Sequence, residues 1–193
     1  MKQFYPRLIL LGLLCLLVFA TGAAAQDTET YREGLYVNRL EGHNIGATSV
    51  EINAVKQVEG SFRQSTVHIT ANFGGEPLWQ VRYALDATFT VPDDPDWLEV
   101  SDDLGWGGMD AEVQVPIQVT RCTDVVGGNC TTTTEMTLVR IHLSAWANQG
   151  VTQTNGEYRR PASFYGSVSI GSKTFPYNGA WGHNFADRYL QEW

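Results

Sequence analysis

Between residues 93 and 112 the chain carries eight carboxylates and no Lys or Arg: Asp93, Asp94, Asp96, Glu99, Asp102, Asp103, Asp110 and Glu112. Like charges at that density repel unless they are spread out, protonated or bridged by a cation. Ca²⁺ is the cation such a stretch suits, because it takes about six to eight oxygen ligands in a flexible shell. Asp93, Asp94, Asp96, Asp102 and Asp103 are therefore candidate Ca²⁺ ligands, and Ca²⁺ is the one cofactor the sequence raises. The spacing is not that of an EF-hand, and a solvated acidic loop is the competing reading.

The same stretch holds Trp97 and Trp106 beside a run of glycines, and Tyr177 and Trp181 lie in a second turn-rich segment. Flat aromatic faces beside carboxylates and amides can stack on the C–H faces of sugar rings while the polar groups take the hydroxyls. Binding sites in general pair apolar area with a few polar anchors. Trp97, Trp106, Tyr177 and Trp181 are candidate ligand-binding residues on that ground. The alternative is that they plug the ends of the fold, since aromatics supply much of a core's buried area.

Signals for catalysis are sparse. No G-x-S-x-G and no H-E-x-x-H occurs, so neither a nucleophile elbow nor a zinc-protease helix is present. A carboxylate pair such as Glu99 with Glu112 could flank a glycosidic bond, but that depends on a separation in space. His68 and His142 sit on the polar faces of their strands and could share a metal only if those strands are neighbours. His43 and His183 stand in Gly- and Asn-bearing segments without a patterned partner.

The elements that must position these groups are strands. From 78 to 91, Trp79, Val81, Tyr83, Leu85, Ala87, Phe89 and Val91 take every second place, with mostly polar residues between. Side chains alternate between faces on a strand, so this is a half-buried antiparallel strand. Residues 65–73 alternate in the same way and end at Gly74-Gly75, which predicts a hairpin with 78–91. A further strand is expected over 48–58. Residues 111–121 and 137–145 alternate as well, and Pro116 marks the first of these as an edge strand or a bulged one. Residues 163–170 and 174–177 form a second hairpin about Gly171-Ser172, and 187–192 could make a helical turn.

Cys122 and Cys130 are the cysteines left after the leader, and an even count in an exported chain predicts a disulfide. If they face each other, opposed residues sum to 252: Val115 meets Thr137, Val113 meets Val139 and Ala111 meets Ile141. Apolar then falls on apolar, so staple and pattern agree.

The first 25 residues are the leader. Lys2 and Arg7 precede an apolar run from Leu8 to Ala20, and Ala23-Ala24-Ala25 offers small residues for cleavage near Ala25. That is a secretory signal peptide, with an uncleaved anchor as the alternative. It implies a secreted or periplasmic protein whose mature domain is not embedded in a membrane. The leader holds two of the 13 basic residues and none of the 21 acidic ones, which leaves a mature net charge of −10. A nucleic acid would be repelled at long range. Asn129-Cys130-Thr131 satisfies the N-glycosylation pattern.

The sequence thus predicts a leader over 1–25, a flexible N-terminal arm over 26–46 with room for one short strand near 34–40, and an all-β domain over 47–193. The domain is expected to be a single antiparallel β-sandwich of about seven to eight strands, with a closed β-barrel as the alternative. The functional expectation is an exported, non-catalytic module that presents the 92–110 and 176–184 segments to a glycan or a surface protein. A small secreted carbohydrate-active enzyme is one alternative. An outer-membrane barrel, suggested by the aromatic terminus Trp193, is the other.

Overall fold

A computed structural model describes residues 30–41, 48–59, 62–75, 80–91, 97–123 and 129–188. The leader, Asp93, Asp94 and Asp96, and most of the expected turn at 187–192 lie outside them.

Ten strands form: β1 (Thr30–Glu41), β2 (Thr48–Glu59), β3 (Phe62–Gly74), β4 (Val81–Val91), β5 (Leu98–Val100), β6 (Trp106–Cys122), β7 (Cys130–Ala147), β8 (Thr152–Thr154), β9 (Glu157–Ile170) and β10 (Lys173–Ala186). All belong to one antiparallel sheet. Pairing runs β1–β2–β3–β4–β6–β7–β9–β10 and returns from β10 to β1, with β5 on β6 and β8 on β9. The all-β antiparallel expectation is met, and the eight long strands match the expected number. Sandwich and ring, which alternation alone does not separate, meet here: one sheet curls until its inner faces pack on each other and its first and last strands bond.

Alternation sorts the side chains. Val50, Ile52 and Ala54 of β2, Val67, Ile69 and Ala71 of β3, and Val139, Ile141, Leu143 and Ala145 of β7 are all buried inside the ring. Each Val, Leu or Ile so buried stabilises the fold by roughly 1.5–3 kcal/mol. Asp86, Thr88, Glu112 and Arg140 point outward and are exposed. A lipid-facing barrel has the opposite arrangement, with an apolar belt outside.

The disulfide hairpin has the expected register. Cys122 faces and bonds Cys130, and the ladder runs unbroken down to Trp106 opposite Trp146, with Val113 on Val139 and Ala111 on Ile141. The β3–β4 and β9–β10 hairpins also form. Pro116 lies beyond the short β4–β6 ladder, which joins Val81–Ala84 to Arg121–Gln118 and stops there. A residue without an N–H fits that one-sided position. From Leu85 and Ile117 onward β4 and β6 diverge around a cleft of about 600 Å³.

Two expectations are corrected. Residues 30–41 are not a flexible arm with a short strand near 34–40 but β1, a 12-residue strand that contains that stretch and closes the ring between β2 and β10. Residues 173–186 are one strand, so the aromatic-rich segment from Trp181 to Ala186 continues β10 rather than breaking away from it. The register slips once, between Asn178 and Ala180, where Gly179 adopts φ 82°. Such a bulge inserts one residue and switches which parity faces inward.

The two ends of the ring differ. At one end β5 is bonded to β6 yet also touches β1 and β2 on the far side, so it spans the lumen. Leu98, Val100 and Leu104 are buried there. At the other end the β6–β7 hairpin rises beyond the β9–β10 turn, because β7 pairs with β9 only from Val139 onward.

Candidate functional site

The acidic stretch is largely structural where it is described. Asp103 accepts hydrogen bonds from Ser101 Oγ (2.7 Å) and the Gly105 amide (2.8 Å), and its second oxygen lies 3.1 Å from Arg160 Nη1. The Ser101 hydroxyl, the Gly105 amide and Arg160 together hold its carboxyl below the usual carboxylate range. Asp102 lies 3.7 Å from Arg188. The repulsion that suggested a bridging cation is thus relieved at these two positions by arginines distant in sequence. Among the described residues no three His, Cys, Asp or Glu side chains cluster in a way that could hold a metal ion.

The four candidate aromatics part company. Trp97 precedes β5 and packs partly buried against the core. Tyr177 is corrected outright. It is not in an exposed loop but in β10, fully buried, with its hydroxyl donating to the Val50 carbonyl at 3.4 Å. Burial raises its pKa, which the nearby Arg39 only partly offsets. Pro176 and Gly179 gave the segment the composition of a loop, but a bulge accommodates Gly179, and Pro176 faces out.

Trp106 and Trp181 come together on the outside of the ring, with two residues the sequence did not single out. Trp106 faces Trp146, Trp146 faces Ser163, and Ser163 faces Trp181, so one register row crosses β6, β7, β9 and β10. Every member points outward, since Gly107, Ala145, Ala162, Phe164 and Gly182 beside them are buried. Trp146 is 57 % and Trp181 64 % exposed. Trp106 packs edge-on against Trp146, with ring centroids 6.5 Å apart.

Neighbouring strands are about 4.7–4.9 Å apart, so the two exposed tryptophans, separated by β9, stand about 10 Å apart at their backbones. Ring contact takes about 3.5–4 Å on each side. That backbone spacing is what one flat ring seated over Ser163 would require. The floor is polar: Asn148 Nδ2 donates to Ser163 Oγ at 2.9 Å, so the serine oxygen is engaged as an acceptor. Tyr165, 45 % exposed, lies one row along between Ser144 and Asn178. On the other side His183 sits 5.2 Å from the Tyr36 ring and 6.5 Å from Trp181. Burial, helped by the Arg159 charge and opposed by Glu157, lowers the His183 pKa, so its imidazole is neutral at neutral pH.

Trp146 did carry a signal. The apolar parity of its strand runs through Val139, Ile141, Leu143 and Ala145, and Trp146 lies on the opposite, solvent parity. A large apolar residue out of phase with its strand's buried face is the informative kind of exposure.

The pairs considered for catalysis or metal do not assemble. Glu112 Oε2 accepts from Arg140 Nε at 2.6 Å on the outside of the ring, while Glu99 sits on β5 opposite Gly108. His68 and His142 lie on β3 and β7, which β4 and β6 separate, and each sits about 3 Å from its own aspartate, Asp86 and Asp110.

No known protein family, curated protein or solved structure matches this chain.

Proposed function

We propose that the protein is an exported, non-catalytic binding module that takes a glycan on its outer face, in the row formed by Trp106, Trp146, Ser163 and Trp181. One observation carries the reading: two largely exposed tryptophans flank a serine in a single register row. A monomeric soluble protein has little reason to hold such aromatic area in water unless something covers it. A pyranose ring has the required shape, with apolar C–H faces for the indoles and equatorial hydroxyls for Ser163, Asn148 and Tyr165. The mature charge of −10 favours a neutral glycan over a polyanionic one. The leader over residues 1–25 would deliver the module to the secreted or periplasmic space, where glycans are exposed.

The test is tryptophan fluorescence of the mature chain against a panel of neutral oligosaccharides. A saturable change is expected for at least one glycan. Trp181→Ala and Trp146→Ala should each weaken it about tenfold or more, the scale of a lost stacking contact in a binding hot spot. A silent panel, or binding that survives both substitutions, refutes the reading and leaves a protein partner as the occupant of this face.

A further inference from the structure

The open end of the ring holds a second site of a different character. A pocket of about 430 Å³ lies between the β3–β4 and β9–β10 ends, under the inner face of the β6–β7 hairpin. Its volume falls within the range of about 300–1,000 Å³ usual for small-molecule sites. Phe73 and Tyr83 stack in one wall with ring centroids 4.9 Å apart, and Phe175 meets Phe73 edge-on at 5.1 Å. Ile117, Val119 and Ile170 line the depth. These three are almost fully buried, so the cavity sits directly on the core.

The rim changes from apolar to charged as the hairpin leaves the ring. Its inward-facing positions on β6 run Ile117, Val119, Arg121, and Arg121 Nη1 lies 2.7 Å from Glu135 Oε1 across the hairpin. That pair is self-compensated. Lys173 is not. It is the first residue of β10, it lies opposite Ile170, and it shares the inward parity of Phe175 and Tyr177. It lines the pocket and makes no ion pair among the described residues. In a chain of net charge −8, the charge left without an ion pair at this mouth among the described residues is positive.

An apolar depth and an ammonium at its edge, unpaired among the described residues, describe the complement of one kind of molecule. We propose that the mouth binds a compact amphiphilic monoanion, a ring-bodied carboxylate, with its apolar body against Phe73, Tyr83, Ile117 and Val119 and its carboxylate on Lys173. A polyanion is disfavoured by the protein's overall charge, and a cation meets Lys173 as a like charge. A neutral body of the same shape gains the burial but not the charge-assisted hydrogen bond. This site shares no residue with the outer tryptophan row, so neither reading depends on the other.

The experiment titrates the mature chain calorimetrically with 2-naphthoate and, separately, with 2-naphthylmethylammonium, which has the same ring body and the opposite charge. 2-Naphthoate should bind one per chain and at least about tenfold more tightly than the ammonium compound, the scale set by one charge-assisted hydrogen bond. Lys173→Glu should remove or reverse that preference, and the exposed position makes it safe for folding. Thr137→Trp projects a large ring into the pocket from its half-exposed wall and should abolish binding of both. The double variant Trp146→Ala/Trp181→Ala should bind 2-naphthoate as the parent does. The proposal is overturned if the parent shows no saturable binding, or if binding survives both pocket variants. It is equally overturned if the outer tryptophan variant is the one that loses it.

Discussion

The two ends of the same ring solve the problem of an open lumen in opposite ways. At the closed end the chain itself is the stopper. β5 spans the opening, Leu98 joins the main core, and Leu104 packs with Val100 and Ala186 beneath it. The polar backbone that this brings inside is met locally. Asn184, fully buried, donates to the Leu104 carbonyl at 3.1 Å, and the Ser101 hydroxyl bonds both the amide and the carbonyl of Trp106. Lys56 and Glu33 pair at 3.3 Å nearby, although burial still raises the Glu33 pKa against the pull of that lysine. At the open end nothing comparable fills the space among the described residues, and apolar walls face a cavity. This ring is wide enough to need a filler at each end. Only one filler is supplied by the strands and turns described.

The largest effect belongs to the stopper: Leu98→Ala should cost about 2–5 kcal/mol in urea unfolding, the range for emptying a leucine-sized site in a packed interior. A cost under about 1 kcal/mol would show that β5 rests on the ring rather than filling it. Next comes the open end's only covalent support. Replacing Cys122 and Cys130 by alanine should lower stability by about 2–3 kcal/mol, the chain-entropy value for so short a loop, while far-UV circular dichroism stays β-rich.

A smaller effect is expected where the acidic turn is knit together. Asp103→Ala leaves the Gly105 amide without this acceptor and the Ser101 hydroxyl with the Trp106 carbonyl alone, and should cost about 1–2 kcal/mol at neutral pH, as for a lost cap. Because the folded-state pKa of Asp103 is lowered, its contribution is present above its ordinary value of 3.8 and fades as pH falls through the lower folded value. The variant should therefore lose less stability than the parent between pH 4 and pH 2 in a thermal melt series (about that window, since the shift is downward from 3.8). The smallest effect is at the rim. Lys173→Met should shift stability by no more than about 0.5 kcal/mol, as for an ordinary surface change, even though it should impair anion binding. A large loss there would mean that Lys173 supports the fold, and the contrast between the two ends would fail.

Much of this was legible in the chain because inside and outside alternate. The β6–β7 register followed from two cysteines and one sum, and β3, β4 and β9 could be read from their buried parity. Two strands hid. Inward positions of β1 are Glu33, Leu35, Val37 and Arg39, so only half of that face is apolar, and the strand reads as polar and aperiodic. Arg39 is accommodated by an ion pair with Glu41 and by stacking over the Tyr177 ring. In β10 the apolar parity is odd at Phe175 and Tyr177 but even from Ala180, Gly182 and Asn184 onward. The bulge at Gly179 moves Trp181 from an apparent core position to the surface, and no local pattern announces a one-residue insertion. Gly182 then lies inward and has to be glycine, because a Cβ there would sit 2.6 Å from the Phe164 ring and 2.2 Å from the Tyr36 carbonyl. The platform itself was half legible. Trp106 and Trp181 were singled out for the right chemistry, but joining them to Trp146 requires a strand order that alternation does not encode.

The short β4–β6 ladder has a consequence for how the molecule comes apart. Among the described residues every other junction of the eight-strand ring is zipped for at least five residue pairs, and this one for four with one further bond at Gln80, ending where Pro116 can donate nothing. Cooperative units detach where the fewest bonds hold them. The circle should therefore unbutton between these two strands first, with deuterium entering the amides that flank the gap while the β6–β7 hairpin, bonded along its whole length, stays protonated.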